Sequence, residues 1–317
     1  MTKQAVPIRG YVIAFMSTAL WSASAVFISY LTTRFGMPPM PLAFWRDLLA
    51  TCILGAVLAI FARPLLRLDR RHVRFFLLYG LVLAFMNILW TISISLNGAA
   101  LATLLLYLSP ALTAVMGWRF FDEPLTAPTI VAIALSLIGC VFASGAYNAS
   151  VWQVNPMGII SGLGTGLVFS VYSLLGKASS RKGVNPWTAT LYTFAIGSGL
   201  LLLLQRPGTL FWLSRPLSAG PGGWREAVLG WGTILLLAIG PTLGAYGLYT
   251  VSLSYLPTST ANLILTLEPA MTALLAFFFL GERLTTPQLA GGGVVLIGVY
   301  LLRLSEQRRP GVEMVAD

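Results

Sequence analysis

The sequence predicts an all-α integral membrane protein, with ten transmembrane helices arranged as two inverted five-helix repeats around a central cavity. Three observations predict it. The first is composition: 57% of the 317 residues are hydrophobic and only 9% are charged, against roughly 25% charged in a soluble domain. Such a chain has too little polar surface to face water on all sides, and charge-poor runs long enough to cross about 30 Å of hydrocarbon recur along it. The second is self-similarity. Residues 102–128, ATLLLYLSPALTAVMGWRFFDEPLTAP, return without a gap as residues 261–287, ANLILTLEPAMTALLAFFFLGERLTTP, at an offset of 159 that carries Pro110 onto Pro269. Thr113 falls on Thr272, Phe120 on Phe279, Glu123 on Glu282 and Pro128 on Pro287, and about a third of the positions from 85 to 139 are identical. The third is parity. Five apolar runs precede the polar segment GAYNASVWQVN and five follow it, and an odd number of crossings turns the second copy upside down relative to the first.

The elements follow in order. Span one covers Tyr11–Leu31, and the MPPMP turn at Met37–Pro41 closes the loop behind it. Span two covers Leu42–Ala62 and span three Phe75–Ser95. Only Asn97-Gly98 separates span three from span four, Ala99–Phe121, so these two form an antiparallel hairpin. Span five, Thr126–Ser144, starts on Thr126 as N-cap with Pro128 in the first turn, where proline costs least. Spans six to ten are Pro156–Gly176, Trp187–Leu204, Val228–Ser252, Thr258–Leu280 and Thr286–Leu302. The longest loop, rich in Pro and Gly and carrying Trp212 and Trp224, lies between spans seven and eight. The domains are therefore a first repeat at 8–148, a second at 155–304 and a cytoplasmic tail at 305–317.

Basic residues set the orientation. With the N-terminus in the cytoplasm, fourteen of the 20 Lys and Arg fall on inside segments, among them Arg63, Arg67, Arg70, Arg71 and Arg74; Arg34, Arg206, Arg215, Arg225 and Arg283 fall outside. Both termini are thus expected in the cytoplasm of a bacterial cell, with the protein in its inner membrane. The net charge of +10 reads as this topology signal plus anionic lipid, without a nucleic-acid partner. Cys52 and Cys140 both lie inside apolar runs, which argues against a disulfide scaffold. The single histidine, His72, sits in an Arg-rich loop, and no HExxH, GxSxG or phosphate-binding loop occurs, so neither an enzyme nor a metal or cofactor site is expected. A channel would need a charged filter or a ring of like residues, and none is visible. Inverted repeats instead suit a secondary transporter that binds substrate between its halves near the midplane.

Helical spacing gathers candidate substrate contacts on common faces. They are Trp21 in span one, Asn87 and Trp90 in span three, and Thr103 and Tyr107 in span four. The second half adds Phe169 and Tyr172, in line with Thr165 on span six, then Tyr246 and Tyr249 on span eight, and Asn262 on span nine. Aromatic faces take apolar groups or cations, and amides and hydroxyls take carboxylate or ammonium, which suits an amino acid or amine. Ordinary interhelical packing is the competing account of each residue. Glu268, deep in span nine and opposite the neutral Ser109, is a candidate for substrate ammonium or a proton, or a carboxyl that holds the neighbouring kink. Pro110, Pro241 and Pro269 each remove a helix hydrogen bond and are candidate hinges. Arg46 with Asp47 near the outer surface, and Lys177 at the inner end of span six, read as snorkelling or structural. Glu123 and Glu282 read as structural carboxylates near the N-termini of spans five and ten. The glycine ladders Gly158, Gly162, Gly166 and Gly240, Gly244 suit close packing within one protomer, with a homodimer as the alternative.

Ten spans, a doubled five-helix unit, and Pro-Ala-x-Thr-Ala followed by Glu-x-Leu-Thr in each copy resemble the EamA-type branch of the drug/metabolite transporter superfamily. Gly10 with Trp21, Gly158 with Phe169, and Pro41 leading to Trp45-Arg46 add to the resemblance, which covers residues 10–303 and is nearest in feel to the YddG-like amino-acid exporters. It implies a central cavity lined by helices one, three, four, six, eight and nine. It also implies export of small amphipathic metabolites, amino acids first, by alternating access. Drugs, organic cations and nucleoside-derived compounds are alternative cargoes within the branch, and a non-transporting membrane protein is the alternative outside it. Four-helix multidrug relatives carry an acid in helix one; span one here has none, so that coupling does not carry over.

Overall fold

The computed structural model describes residues 8–123, 125–143, 147–149, 155–205, 223–268, 270–271, 275 and 285–307, and every regular element among them is helical. These are α1 (Ile8–Ser22), α2 (Ser24–Arg34), α3 (Pro39–Phe61), α4 (Val73–Leu106), α5 (Ser109–Phe121) and α6 (Ala127–Ala143). After the polar segment come α7 (Pro156–Arg181), α8 (Pro186–Leu203), α9 (Gly223–Leu237), α10 (Ala245–Tyr255), α11 (Thr258–Leu265) and α12 (Thr286–Gln307). A π-helical segment, Ala238–Gly244, joins α9 to α10.

Among the described residues seven helical stretches are long and apolar enough to cross a bilayer: Ile8–Thr32, Pro39–Phe61, Arg70–Leu96, Leu101–Phe121, Pro156–Arg181, Pro186–Leu203 and Trp224–Tyr255. Ala127–Phe142 and Leu289–Leu301 are shorter apolar helices. Outward faces are apolar as well: Phe15, Leu77, Ile130, Ile160, Leu202 and Leu296 are all exposed, as a hydrocarbon solvent requires. The chain is a multi-pass helical membrane protein.

Local chemistry explains where these helices start and stop. Asn155 and Asn185 cap α7 and α8, their side-chain oxygens accepting from the N–H of Met157 and Trp187, and a proline follows each cap. Thr126 precedes α6 as expected, its hydroxyl 3.1 Å from that of Thr129. The helix behind the MPPMP turn starts at Pro39 rather than after Pro41, and α7 runs on to Arg181.

The predicted hairpin is present in an unexpected form. The helical assignment of α4 runs from Val73 to Leu106, across Asn97-Gly98. Yet Gly162 lies against both Ser93 and Leu105, which a straight helix would hold about 18 Å apart. The helix therefore doubles back on itself, and its two limbs flank α7. Elsewhere the repeats interlock: α6 packs along α12, α1 along α10, and α3 and α4 along α8.

Three breaks shape the interior. In the first, the Ser22 hydroxyl takes the Ala19 carbonyl at 2.7 Å, so the Ala23 N–H turns to Leu20 and separates α1 from α2. In the second, Leu108 bonds back three residues to Leu105 ahead of Pro110, which stands in the first turn of α5. Thr266 and Leu267 repeat that shortened pattern onto Leu263 and Ile264. In the third, Pro241 cannot donate to the Leu237 carbonyl, and the Thr242 hydroxyl bonds it instead at 2.8 Å inside the π segment.

Candidate functional site

These breaks converge on a narrow cavity of about 40 Å³ that is partly open to the exterior. Trp21 and Ser24 flank the Ala23 break; Tyr107 and Ser109 flank the break before Pro110; Leu265 and Glu268 flank the Thr266–Leu267 turn; and Tyr246 stands just beyond the π segment. Met86, Trp90, Thr165 and Phe169 complete the wall together with Arg46 of α3. The lining thus comes from both repeats. It uses spans one, three, four, six, eight and nine, as the resemblance implies, and adds span two.

Aromatic rings form its floor. Trp21 meets Tyr246 edge-on with centroids 4.4 Å apart and Phe169 at 5.9 Å. Behind them Tyr172 stacks on Phe169 and Tyr249, and Tyr79 lies 4.9 Å from Tyr172. The Tyr249 hydroxyl donates to Ser173 at 2.6 Å and accepts from Asn262 at 3.1 Å. Below this layer the helix ends are clamped. The Lys177 ammonium donates to the carbonyls of Leu253 and Leu256, each at 2.9 Å, at the end of α10. The Glu123 carboxylate accepts from the Thr258 N–H at 3.0 Å and from its hydroxyl at 2.8 Å, at the start of α11. Each charge thus meets the helix end of opposite polarity. One end of the cavity is closed by an aromatic plug and a polar clamp.

Of the candidate substrate contacts, Trp21, Trp90, Tyr107, Phe169, Tyr246 and Glu268 line the cavity. Five others do not. Tyr172, Tyr249 and Asn262 belong to the plug, and Thr103 is buried within the wall. Asn87 is turned away to donate to Asp47 at 2.6 Å. The two amides expected to converge on a solute donate through their nitrogens to protein partners, while their oxygens are buried with no hydrogen-bond partner among the described residues. Pro110 and Pro241 stand at the breaks described above; Pro269 lies outside the described residues, as does Glu282.

Three charged residues sit differently from the sequence reading. Lys177 is 6% exposed and does not snorkel; its two carbonyl contacts give it the structural place that was the other expectation. Glu123 acts on α11 rather than on the helix after it, because the turn following α5 meets the elbow between α10 and α11. Arg46, read as near the surface, is 3% exposed and faces the cavity, since the helix begins at Pro39 and places Arg46 two turns in. An arginine beside an aspartate this far into an apolar run was the available signal. Of the glycines, Gly162 and Gly166 take part in close packing within the protomer, whereas a Cβ at Gly240 would meet open space.

Comparison with known proteins decides the family. The profile of the EamA-like transporter family matches the chain twice, over residues 8–145 and 156–304. The chain belongs to that family. Its members are transporters, not enzymes, and two repeats fill this one. Among curated relatives, the threonine/homoserine exporter RhtA of Escherichia coli K12 is 31% identical over 220 residues, 69% of this chain and 68% of its own length. An uncharacterized transporter of Archaeoglobus fulgidus is 29% identical over 210 residues, 64% of this chain and 66% of its own. A solved crystal structure with 20% sequence identity shares the fold, with a TM-score of 0.74 over 94% of this chain and 98% of that one.

Proposed function

We propose that this EamA-family protein is a secondary transporter that exports small amphipathic metabolites, amino acids foremost, by alternating access. The observation that carries it is the cavity itself. It has aromatic walls from both repeats, a buried carboxylate at Glu268, and one end stoppered by the plug and clamp. Ten spans in two inverted repeats, 8–148 and 155–304 with a tail at 305–317, account for the doubled sequence and for matching breaks at Tyr107–Leu108 and Thr266–Leu267. The positive-inside rule supports cytoplasmic termini in a plasma membrane, which puts Glu123, Lys177 and the plug on the cytoplasmic side. The described state is then closed to the cytoplasm.

In this reading Glu268 holds the substrate ammonium, and Trp21, Phe169 and Tyr246 hold the apolar part and the cation's face. The helix breaks at Pro110 and Pro241 are bending points, Pro269 is proposed as their counterpart in span nine, and one protomer suffices. The named relative RhtA, a threonine/homoserine exporter, supports amino acids as the first cargo to try. Export down a concentration gradient needs no coupled proton. Uptake of a radiolabelled amino-acid panel into proteoliposomes, with and without an inward-acid gradient, tests this. Saturable uptake indifferent to the gradient is expected. Entry of organic cations or other metabolites while every amino acid is refused would overturn the substrate class.

A further inference from the structure

We infer that Arg46 is the carboxylate-binding pole of the cavity, so that Arg46 and Glu268 together select zwitterionic amino acids over amines. The inference rests on the transport reading above and names which part of the substrate each pole takes.

The arginine is held as a receptor would hold it. Its Nε donates to Asp47 Oδ1 at 3.1 Å, and Asp47, fully buried, accepts at its other oxygen from Asn87 Nδ2. One edge of the guanidinium is therefore fixed against α3, with Asn87 of α4 bracing its partner. Arg46 lines the cavity, and its Nη2, buried within the wall, has no hydrogen-bond partner among the described residues. Buried donors are nearly always satisfied, so one left open on a cavity wall points to an acceptor brought by a ligand. A guanidinium stays protonated in any environment, and its planar fork matches a carboxylate with two parallel N–H···O bonds. The ion pair with Asp47 does not exhaust it, because Asp47 is shared with Asn87 and is met through Nε alone.

The same cavity supplies the second pole. Glu268 lines it, with the Tyr107 side chain beside it in the same wall. An α-amino acid carries a carboxylate for Arg46, an ammonium for Glu268 and a side chain for the rings of Trp21, Phe169 and Tyr246. An amine without a carboxylate satisfies Glu268 and leaves the Arg46 edge desolvated and unpaired, which makes it the poorer ligand. Asn87 is a positioning residue that acts through Asp47.

The test uses the purified full-length protein and quenching of tryptophan fluorescence, since Trp21 and Trp90 stand in the cavity wall. L-amino acids are titrated in pairs with their amino alcohols, which keep the ammonium and side chain and lose the carboxylate. Wild type is expected to bind each amino acid at least tenfold tighter than its partner. Arg46→Gln is expected to weaken the amino acid at least tenfold while leaving the amino alcohol within threefold, and Arg46→Lys to fall between. A folded Arg46→Gln that keeps the wild-type ratio overturns the inference. So does a wild-type protein that binds both members of each pair equally. Should Arg46→Gln not fold, competition by propionate on the wild type decides: displacement of amino acid supports the carboxylate pole, and indifference at high concentration overturns it. Proteoliposome flux separates this from the parent reading. Preferential binding without flux leaves the pole standing and removes transport, whereas flux that amino alcohols inhibit equally well does the reverse.

Discussion

The two repeats break their fourth helices in the same manner and treat their third helices differently. At Tyr107–Leu108 and at Thr266–Leu267 the backbone tightens into three-residue steps just ahead of Pro110 and Pro269. In the first copy Pro110 has no N–H to continue the ladder. In the third helices the copies part. The first runs as plain α-helix through residues 79–85, whereas the second passes through a π segment around Pro241, which the repeat offset sets opposite Val82. The polar groups diverge too. Glu268 stands where the first repeat has Ser109, and Tyr246 and Tyr249 stand where it has Asn87 and Trp90. Duplication has kept the geometry that makes a cavity, and each copy has acquired its own chemistry within it.

The comparison can be broken at four points. The largest effect is expected from forcing the proline into the copy that lacks it. Val82→Pro removes a bond from the packed limb of α4 and should cost about 3 kcal/mol or more, read as a fall in the unfolding midpoint of the solubilised protein. Next comes the unmatched carboxylate. Glu268→Ala should weaken amino-acid binding by about ten- to a hundredfold, as the loss of a charged hydrogen bond of about 1.5–3 kcal/mol implies; Ser109→Ala at the mirror position should stay within about threefold, and equal effects at the two positions would refute the assigned asymmetry.

Gly117→Ala copies into the first repeat the residue found at position 276 of the second. The new Cβ would come within 2.6 Å of Glu123 Oε2 and 3.1 Å of Thr258 Oγ1. It should displace the cap and cost about 1 kcal/mol, with no loss from a Gly117→Ala, Glu123→Gln double variant beyond that of Glu123→Gln. Smallest in stability is Pro241→Ala. It returns an N–H for the Leu237 carbonyl, should change stability by less than about 1 kcal/mol, and should slow uptake severalfold if the π segment is a moving part. Unaltered uptake would make Pro241 a static kink.

How much of this was legible in the sequence depended on whether local or long-range order wrote it. Thr126 ahead of α6 and the breaks beside Pro110 and Pro241 depend on neighbours in the chain, and they stand where the pattern put them; the caps at Asn155 and Asn185 are just as local but were not read. The cavity aromatics Trp21, Phe169 and Tyr246 were legible through helical spacing together with the repeat. What a side chain does with a distant partner was not. Asn87 and Asn262 looked like solute ligands because spacing shows which face a residue occupies, but not that Asp47 or Tyr249 waits there to absorb it. Arg46 was placed at the surface because the start of its helix was read three residues late, and one turn of helix separates a snorkelling arginine from a buried one. The turn-back within α4 was legible as a hairpin, and the contacts of Gly162 with both limbs bear it out.

The Glu123 clamp also bears on how the protein is made. Its partner Thr258 lies 135 residues further along the chain. At about 5–20 residues per second, synthesis takes roughly 7 to 27 seconds to deliver it. Lys177 waits in the same way for Leu253, 76 residues later. Through that interval both charges belong in the aqueous boundary, where they need no partner, and the first five helices cannot settle into their final positions around them. The clamp is therefore a late step in biogenesis. A ribosome-arrested chain ending before residue 250 should leave Glu123 and Lys177 open to water-borne labelling reagents, and release of the full length should shut both off together.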